Sequence, residues 1–281
     1  MGAFRDRLAA GGRQPRWLDY TDYCGRLLAG GAIPWGDVTR LVDWHRKAQG
    51  LLKSDVAALP LRPLVEAWLV SHGDLREALA GRRRLLYPLK TLLADEAMRG
   101  HVASALDGLR RTHAGLPLAL VLPSPRHFIQ LAAAWAGTAD ADEAIENDDA
   151  DSASMYLADF LRAFGDAGID LLLLEERPGE PVSREGIAAY QAVLNIAGHY
   201  RWEIGLRLGG AADDLAGGLA GIDFLIAPLP VPGAATGLQL PGGFWTEADA
   251  PMPGGGGDFL FGAIPADARP ELVLERLAAL P

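Results

Sequence analysis

Two carboxylates and a guanidinium, Glu175, Glu176 and Arg177, end the most apolar run of the chain. Residues 169–174 are aliphatic save for one aspartate, and the acids follow at once. A carboxylate walled by apolar neighbours is pushed toward its neutral form, so Glu175 and Glu176 are the first candidates for proton transfer. Neighbours on a strand face opposite ways, so only one of them can point along a common axis, leaving the other to pair with Arg177. The plainer reading leaves all three as solvated residues ahead of the Pro178-Gly179 turn. His127, just past Pro123-Ser124-Pro125, is the third catalytic candidate, since an imidazole exchanges its proton near neutral pH. Its plainer reading is an exposed residue at a helix start.

The stretch 201–208, RWEIGLRL, alternates cleanly. Arg201, Glu203, Gly205 and Arg207 share one side, and Trp202, Ile204, Leu206 and Leu208 the other. If the apolar side packs on helices, Arg207 faces inward and needs a partner. Glu175 or Glu203 would make it a structural pair, and a substrate carboxylate or phosphate would make it a binding residue; both remain open. Arg126, beside His127, joins the substrate-binding candidates. So do Lys90 and Tyr87 in the apolar stretch 85–93, and Asp19, with Tyr20, in a first strand near 16–20.

The elements that position these residues alternate. Apolar side chains between Tyr156 and Phe164 recur at helical spacing, and Ala167-Gly168 closes that helix. A strand that follows without alternation is covered on both faces, the habit of parallel sheets in α/β proteins. Strands are expected at 85–93, 116–122, 169–174, 201–208, 222–227 and around 258–261. Helices fall between them at 95–113, 128–135, 183–197 and 211–219, with a last one at 269–280. The first 84 residues read as largely helical, with a short helix over 4–10, one capped by Asp37, one over 61–69 and one begun by Asp74. One or two strands remain to be found there. Repeated βα units with no glycine fingerprint after an early strand favour a (β/α)8 TIM barrel over an open dinucleotide-binding sheet. The whole chain, 1–281, is read as a single barrel domain.

Composition narrows the function classes. Lys+Arg 26 against Asp+Glu 36 gives a net charge of -10, which argues against a nucleic-acid groove. The run Arg82-Arg83-Arg84 reads as a helix end or loop. Cys24, the single cysteine, excludes an internal disulfide and argues against a thiolate zinc site. No apolar run reaches membrane-spanning length and no leader is seen, so a soluble cytoplasmic protein is the expectation. Seven acids in the thirteen residues 139–151 lack the spacing of a calcium loop and read as a solvated insertion. The glycine run 254–257 has no lysine or hydroxyl after it, so it reads as a link rather than a phosphate loop.

The order of segments from 85 onward resembles the barrel shared by cobalamin-independent methionine synthase and uroporphyrinogen decarboxylase. Leu122-Pro123-Ser124-Pro125 is similar to a strand end of that superfamily reading glycine-proline-threonine. Ala167-Gly168-Ile169 through Leu174-Glu175-Glu176 resembles its strand ending in an acidic pair that contacts substrate in the methionine synthases. Phe261-Gly262-Ala263-Ile264 and Pro270-Glu271-Leu272-Val273 resemble its last strand and helix. The methionine synthases bring a histidine and a cysteine to zinc where this chain has Leu206 and Leu208, so the resemblance implies a barrel without that zinc site. The decarboxylases use an early aspartate with arginines and a late histidine. Arg13, Arg16 and Asp19 would stand in for the former, and no histidine follows Phe261. The resemblance implies a barrel with its site at the mouth and names no reaction. The leading expectation from the charged residues is an acid/base lyase or transferase, with no metal and no cofactor, acting on a small anionic molecule there. The alternative is a barrel that has lost its reactive groups and serves as a binding or assembly partner, as a homodimer or with another protein.

Overall fold

In the computed structural model, residues 4, 6, 13–82, 84–139, 145–210, 215 and 217–281 are described. β1 (Arg16–Asp19) is followed by α1 (Thr21–Ala29) and by α2 (Val38–Leu52), which starts on Asp37 where its carboxylate accepts the Arg40 N–H. β2 (Ala57–Pro60) leads into α3 (Leu61–Ser71), α4 (Gly73–Leu79) and α5 (Tyr87–Leu93). α6 (Glu96–Thr112) is capped by Asp95 and precedes β3 (Leu118–Pro123); Ser124 then caps α7 (Pro125–Ala136). α8 (Asn147–Arg162), β4 (Leu171–Glu175), α9 (Arg184–Ala188) and α10 (Gln191–Tyr200) follow. The chain ends with β5 (Glu203–Arg207), β6 (Phe224–Ala227), β7 (Thr236–Gln239), a 3-10 turn at Gly242–Trp245, β8 (Phe259–Ala263) and α11 (Pro270–Ala279).

All eight strands lie in one sheet in the order β1-β8-β7-β6-β5-β4-β3-β2, every neighbour parallel. The two end strands approach each other without a ladder, and side chains bridge the seam. The Leu18 N–H donates to Ser54 Oγ at 3.0 Å and the Arg16 N–H to the Asp55 carboxylate at 2.8 Å. Asp55 returns its own N–H to the Arg16 carbonyl at 2.8 Å. The result is a nearly closed α/β barrel of the TIM type with extra helices near its N-terminus.

Alternation along each strand sorts the core into two layers. Leu120, Leu172, Ile204 and Leu206 face outward and pack under the helices. Trp17, Val121, Leu173, Phe224, Phe259 and Phe261 fill the interior. Phe4 is buried there too, its ring 5.0 Å from that of Phe259, and its N–H donates to Glu203 Oε1 at 3.0 Å. Aromatic rings this large fit because other strands give up side chains. A Cβ at Gly205 would lie 2.1 Å from the Phe224 ring, and one at Gly237 2.3 Å from Phe259. Gly205→Ala should therefore lower unfolding free energy by about 1–3 kcal/mol, the usual cost of overpacking; a denaturant titration equal to the parent's would refute that packing.

The structure corrects several expectations. Residues 85–93 form no strand: after a turn at Leu85 and Leu86, α5 takes up Tyr87–Leu93, with Pro88 in its first turn, where the missing N–H costs nothing, and Leu89, Leu92 and Leu93 buried along one face. Spacings of three and four had been masked by the short length of the run. The first 84 residues, as expected, supply the missing strands, β1 and β2, as well as helices. Arg13 and Arg16 do not stand beside Asp19 at one end. Arg13 pairs with Asp55, and Arg16 binds the Leu277, Leu280 and Pro281 carbonyls at the opposite end of β1. His72, and not Asp74, stands at the start of α4. The acidic stretch is not all loop, since Asp148 and Asp149 lie in the first turn of α8, where the helix dipole favours negative charge. Residues 140–144, and most of the helices expected over 4–10 and 211–219, lie outside the described residues.

Candidate active site

The carboxyl ends of parallel strands gather at one face of a barrel, and β4 and β5 bring Glu175 and Arg207 there as direct register partners. Register partners share a face, and here it is the interior. Arg207 Nη1 donates to Glu175 Oε1 at 2.8 Å, and its Nε donates to Gln239 Oε1 at 3.3 Å. The guanidinium also lies over the Phe261 ring, 4.8 Å from its centre. Both members of the pair remain reachable, Arg207 with 25% and Glu175 with 27% of the side chain exposed.

Beneath them is a cavity of about 40 Å³ floored by Trp17, Val121, Leu173 and Phe261, with Asp19 and Tyr20 at its edge. Asp19 Oδ1 accepts the Thr21 N–H at 3.0 Å, which fixes its carboxylate at the end of β1. Burial against the barrel walls raises the Glu175 pKa; Arg207 opposes that shift, and Asp19 adds to it. Asp22, on α1, is raised for the same two reasons, burial and then Asp19, and Arg62 opposes both shifts. The mouth thus holds carboxylates pushed toward their neutral form beside an arginine that is already engaged.

Glu176 turns the other way, as the strand geometry requires. It is buried, with Oε2 accepting from Ser124 Oγ at 2.7 Å and Oε1 accepting from the Tyr190 hydroxyl at 2.8 Å. Burial raises its pKa and the two hydroxyls hold it down. Ser124 also accepts the His127 N–H as the cap of α7, so Glu176 anchors the junction of β4 with two helices. It lines a separate polar cleft of about 170 Å³ that also takes in Arg126 and Glu180. Arg126 is spent on the Ile145 carbonyl and on Asn147 Oδ1, the latter at 2.7 Å. Glu176→Ala should cost about 1–3 kcal/mol by stranding two buried hydroxyls. Glu176→Gln, which keeps an acceptor, should cost less in the same urea titration; equal losses would deny the network.

His127 is buried and its Nδ1 lies 3.1 Å from the Glu175 carbonyl, which can only accept, so Nδ1 carries the proton. Burial lowers its pKa and keeps it neutral. The same carbonyl accepts the Ser124 N–H at 2.9 Å. His127 therefore positions the end of β4.

Of the sequence candidates, Glu175, Arg207 and Asp19 meet at the mouth, with His127 behind them. Glu176 and Arg126 share the neighbouring cleft. Lys90 and Tyr87 join neither and line a different cavity, bounded by α4, α5 and α8. Sequence reasoning missed Arg62, Gln239, Tyr190 and the hydroxyl of Ser124. Gln239 sits on β7, whose TGLQ carries too little apolar pattern to be seen. Arg62 stands two residues past β2, and AALP has no β-branched or aromatic residue to mark it.

Among the described residues, no group of three or more His, Cys, Asp or Glu side chains is placed to hold a metal ion. No helix of the described residues is long and apolar enough to cross a membrane. Fold and site together define an α/β barrel with an acid–arginine pair at its carboxyl mouth. Compared with models of known families and with curated proteins, the chain matches none.

Proposed function

We propose that this barrel is an acid/base enzyme, a lyase or transferase, acting on a small anionic molecule at the mouth formed by Glu175, Arg207 and Asp19. The observation that carries the reading is the partly exposed Glu175–Arg207 pair on the inner face. In the free protein Glu175 neutralises Arg207. A substrate carboxylate or phosphate entering beside Phe261 takes the guanidinium in its place. Glu175 then loses the charge that opposes its upward shift, with Asp19 and the barrel walls still favouring the proton. It becomes a group able to take a proton from the substrate, or return one, near neutral pH. His127 holds the backbone of Glu175 in place for that exchange.

This reading keeps the resemblance to the methionine synthase and uroporphyrinogen decarboxylase barrel, where in the methionine synthases an acidic pair at this strand end contacts substrate; here Glu175 alone takes that part. A cytoplasmic setting goes with it. The test is thermal melting with a panel of small carboxylates and phosphates, each matched by its neutral amide or alcohol. Saturable stabilisation by an anion, absent with the neutral analogue and absent in Arg207→Met, supports the reading. Equal stabilisation of parent and Arg207→Met overturns it.

One observation favours the second reading, a barrel serving as a binding or assembly partner. The mouth cavity, at about 40 Å³, has room for only a few waters, and the charged pair above it is already self-satisfied. On that reading no anion of the panel binds at the mouth at all.

A further inference from the structure

A second, larger concavity lies away from the mouth, and its walls are of a different kind. It measures about 830 Å³, within the roughly 300–1,000 Å³ typical of ligand pockets. Leu75, Leu85 and Leu86 supply apolar wall, and Tyr87 and Tyr156 stand partly exposed at its sides. Arg82, Arg84 and Lys90 line it as well, all exposed. Exposed lysines and arginines are ordinary in themselves. These three are unusual in ringing one cavity of a chain whose net charge is -10, with no ion pair or side-chain hydrogen bond among the described residues.

Two of the three contact rings instead. Arg82 lies 5.5 Å from the centre of the Tyr87 ring, and Lys90 5.5 Å from that of Tyr156. Two acids, Asp95 and Asp149, also reach the cavity, but Asp95 is committed to the Met98 N–H at 2.6 Å as the cap of α6. The balance of charge free to meet a ligand is therefore positive. Two tyrosines on an apolar wall suit a flat ring, and cations already poised over aromatic faces suit an anion attached to that ring.

We propose that the cavity between α4, α5 and α8 is a second binding site, for a small molecule that joins a planar ring to a carboxylate or phosphate. Lys90 and Arg84 take the anionic group, and Tyr87 and Tyr156 flank the ring. The site does not depend on the barrel mouth, and its position accounts for why Lys90 and Tyr87 lie apart from Glu175.

The test is calorimetric titration of the full chain with phenyl phosphate, benzoate and neutral benzyl alcohol, on the parent and on Lys90→Met, Tyr156→Ala and Arg207→Met. The expected result is saturable binding of an aromatic anion, weakened roughly tenfold or more by Lys90→Met, the scale of one charge-assisted hydrogen bond. Tyr156→Ala should weaken it too, and the binding component lost in Lys90→Met should survive in Arg207→Met. Preference for phenyl phosphate or for benzoate distinguishes the two anionic groups, and either supports the site. Absence of saturable binding at millimolar probe, binding of benzyl alcohol as tight as that of the anions, or loss in Arg207→Met with Lys90→Met unaffected would each overturn it. Since Lys90 is exposed, an unchanged melting temperature confirms that the variant is folded.

Discussion

Replacing His45 with Gln is expected to make folding less sensitive to acid, by about 2 kcal/mol between about pH 7.5 and about pH 5. His45 is buried on α2, and its ring is bonded at both nitrogens. Its Nε2 faces the Ala58 carbonyl at 3.1 Å, which can only accept, so that nitrogen carries the proton. Nδ1 must then accept from His113 Nε2, 3.0 Å away, while Tyr20 donates onward to Gln49 at 3.1 Å. One consistent set of protons satisfies the chain, and an added proton has no place in it. Burial, with His113 beside it, lowers the His45 pKa to about 3.

A histidine depressed in the fold binds more protons when unfolded, so its stabilising contribution is complete above about pH 6.5 and is lost as pH falls toward 3. The full window is worth roughly 4–5 kcal/mol, and the part above pH 5 about 2 kcal/mol. Glu175 and Glu176, raised in the fold, act in the opposite sense and gain stability as pH falls. The informative quantity is therefore the difference between parent and variant. Urea titrations at about pH 7.5 and about pH 5 should show a loss in the parent that exceeds the variant's by about 2 kcal/mol. Equal losses would mean that the imidazole pair accepts protons freely in the folded state.

Breaking the mouth pair is expected to have the next largest effect. A fully buried ion pair that loses one partner costs about 3–5 kcal/mol. Glu175 and Arg207 each keep about a quarter of the side chain in solvent, and Arg207 retains Gln239 and the Phe261 face when Glu175 is removed. Glu175→Ala should therefore cost only about 1–3 kcal/mol at neutral pH. Arg207→Met leaves a carboxylate whose pKa is already raised, and that group can escape the penalty by holding its proton. Its loss should shrink as pH falls, whereas that of Glu175→Ala should grow or hold. Combining the two changes should cost less than the sum of the single losses, by about 1–3 kcal/mol for groups in contact. Additive losses would show that the pair is not coupled in solution.

Much of this was legible in the sequence because parallel strands announce themselves. LLLLE and the alternating EIGLR gave β4 and β5 to within two residues at each end, and with them the possibility that Glu175 and Arg207 meet. Opposite facing of Glu175 and Glu176 followed from the strand repeat alone. β2 and β7 were hidden, since four residues of AALP or TGLQ are too short and too weakly apolar to show a period. The run around Lys90 failed for a related reason. A single buried face on a short helix resembles a strand when proline interrupts it, and two site residues were placed at the mouth on that basis. Ser124 and Tyr190 could not be joined to Glu176 from sequence, because their hydrogen bonds span separations that only the packing of α7 and α10 against β4 creates.

The central claim is that Glu175 occupies the place a substrate anion takes on Arg207. Calorimetric titration with small carboxylates and inorganic phosphate, on Lys90→Met as the parent so that the second site is disabled and on its combinations with Glu175→Ala and Arg207→Met, tests it most directly. If Glu175 is the internal competitor, its removal should tighten anion binding roughly tenfold or more, the value of one charge-assisted bond no longer displaced, and Arg207→Met should abolish it. Anion binding that weakens in Glu175→Ala, or that persists in Arg207→Met, would contradict the account.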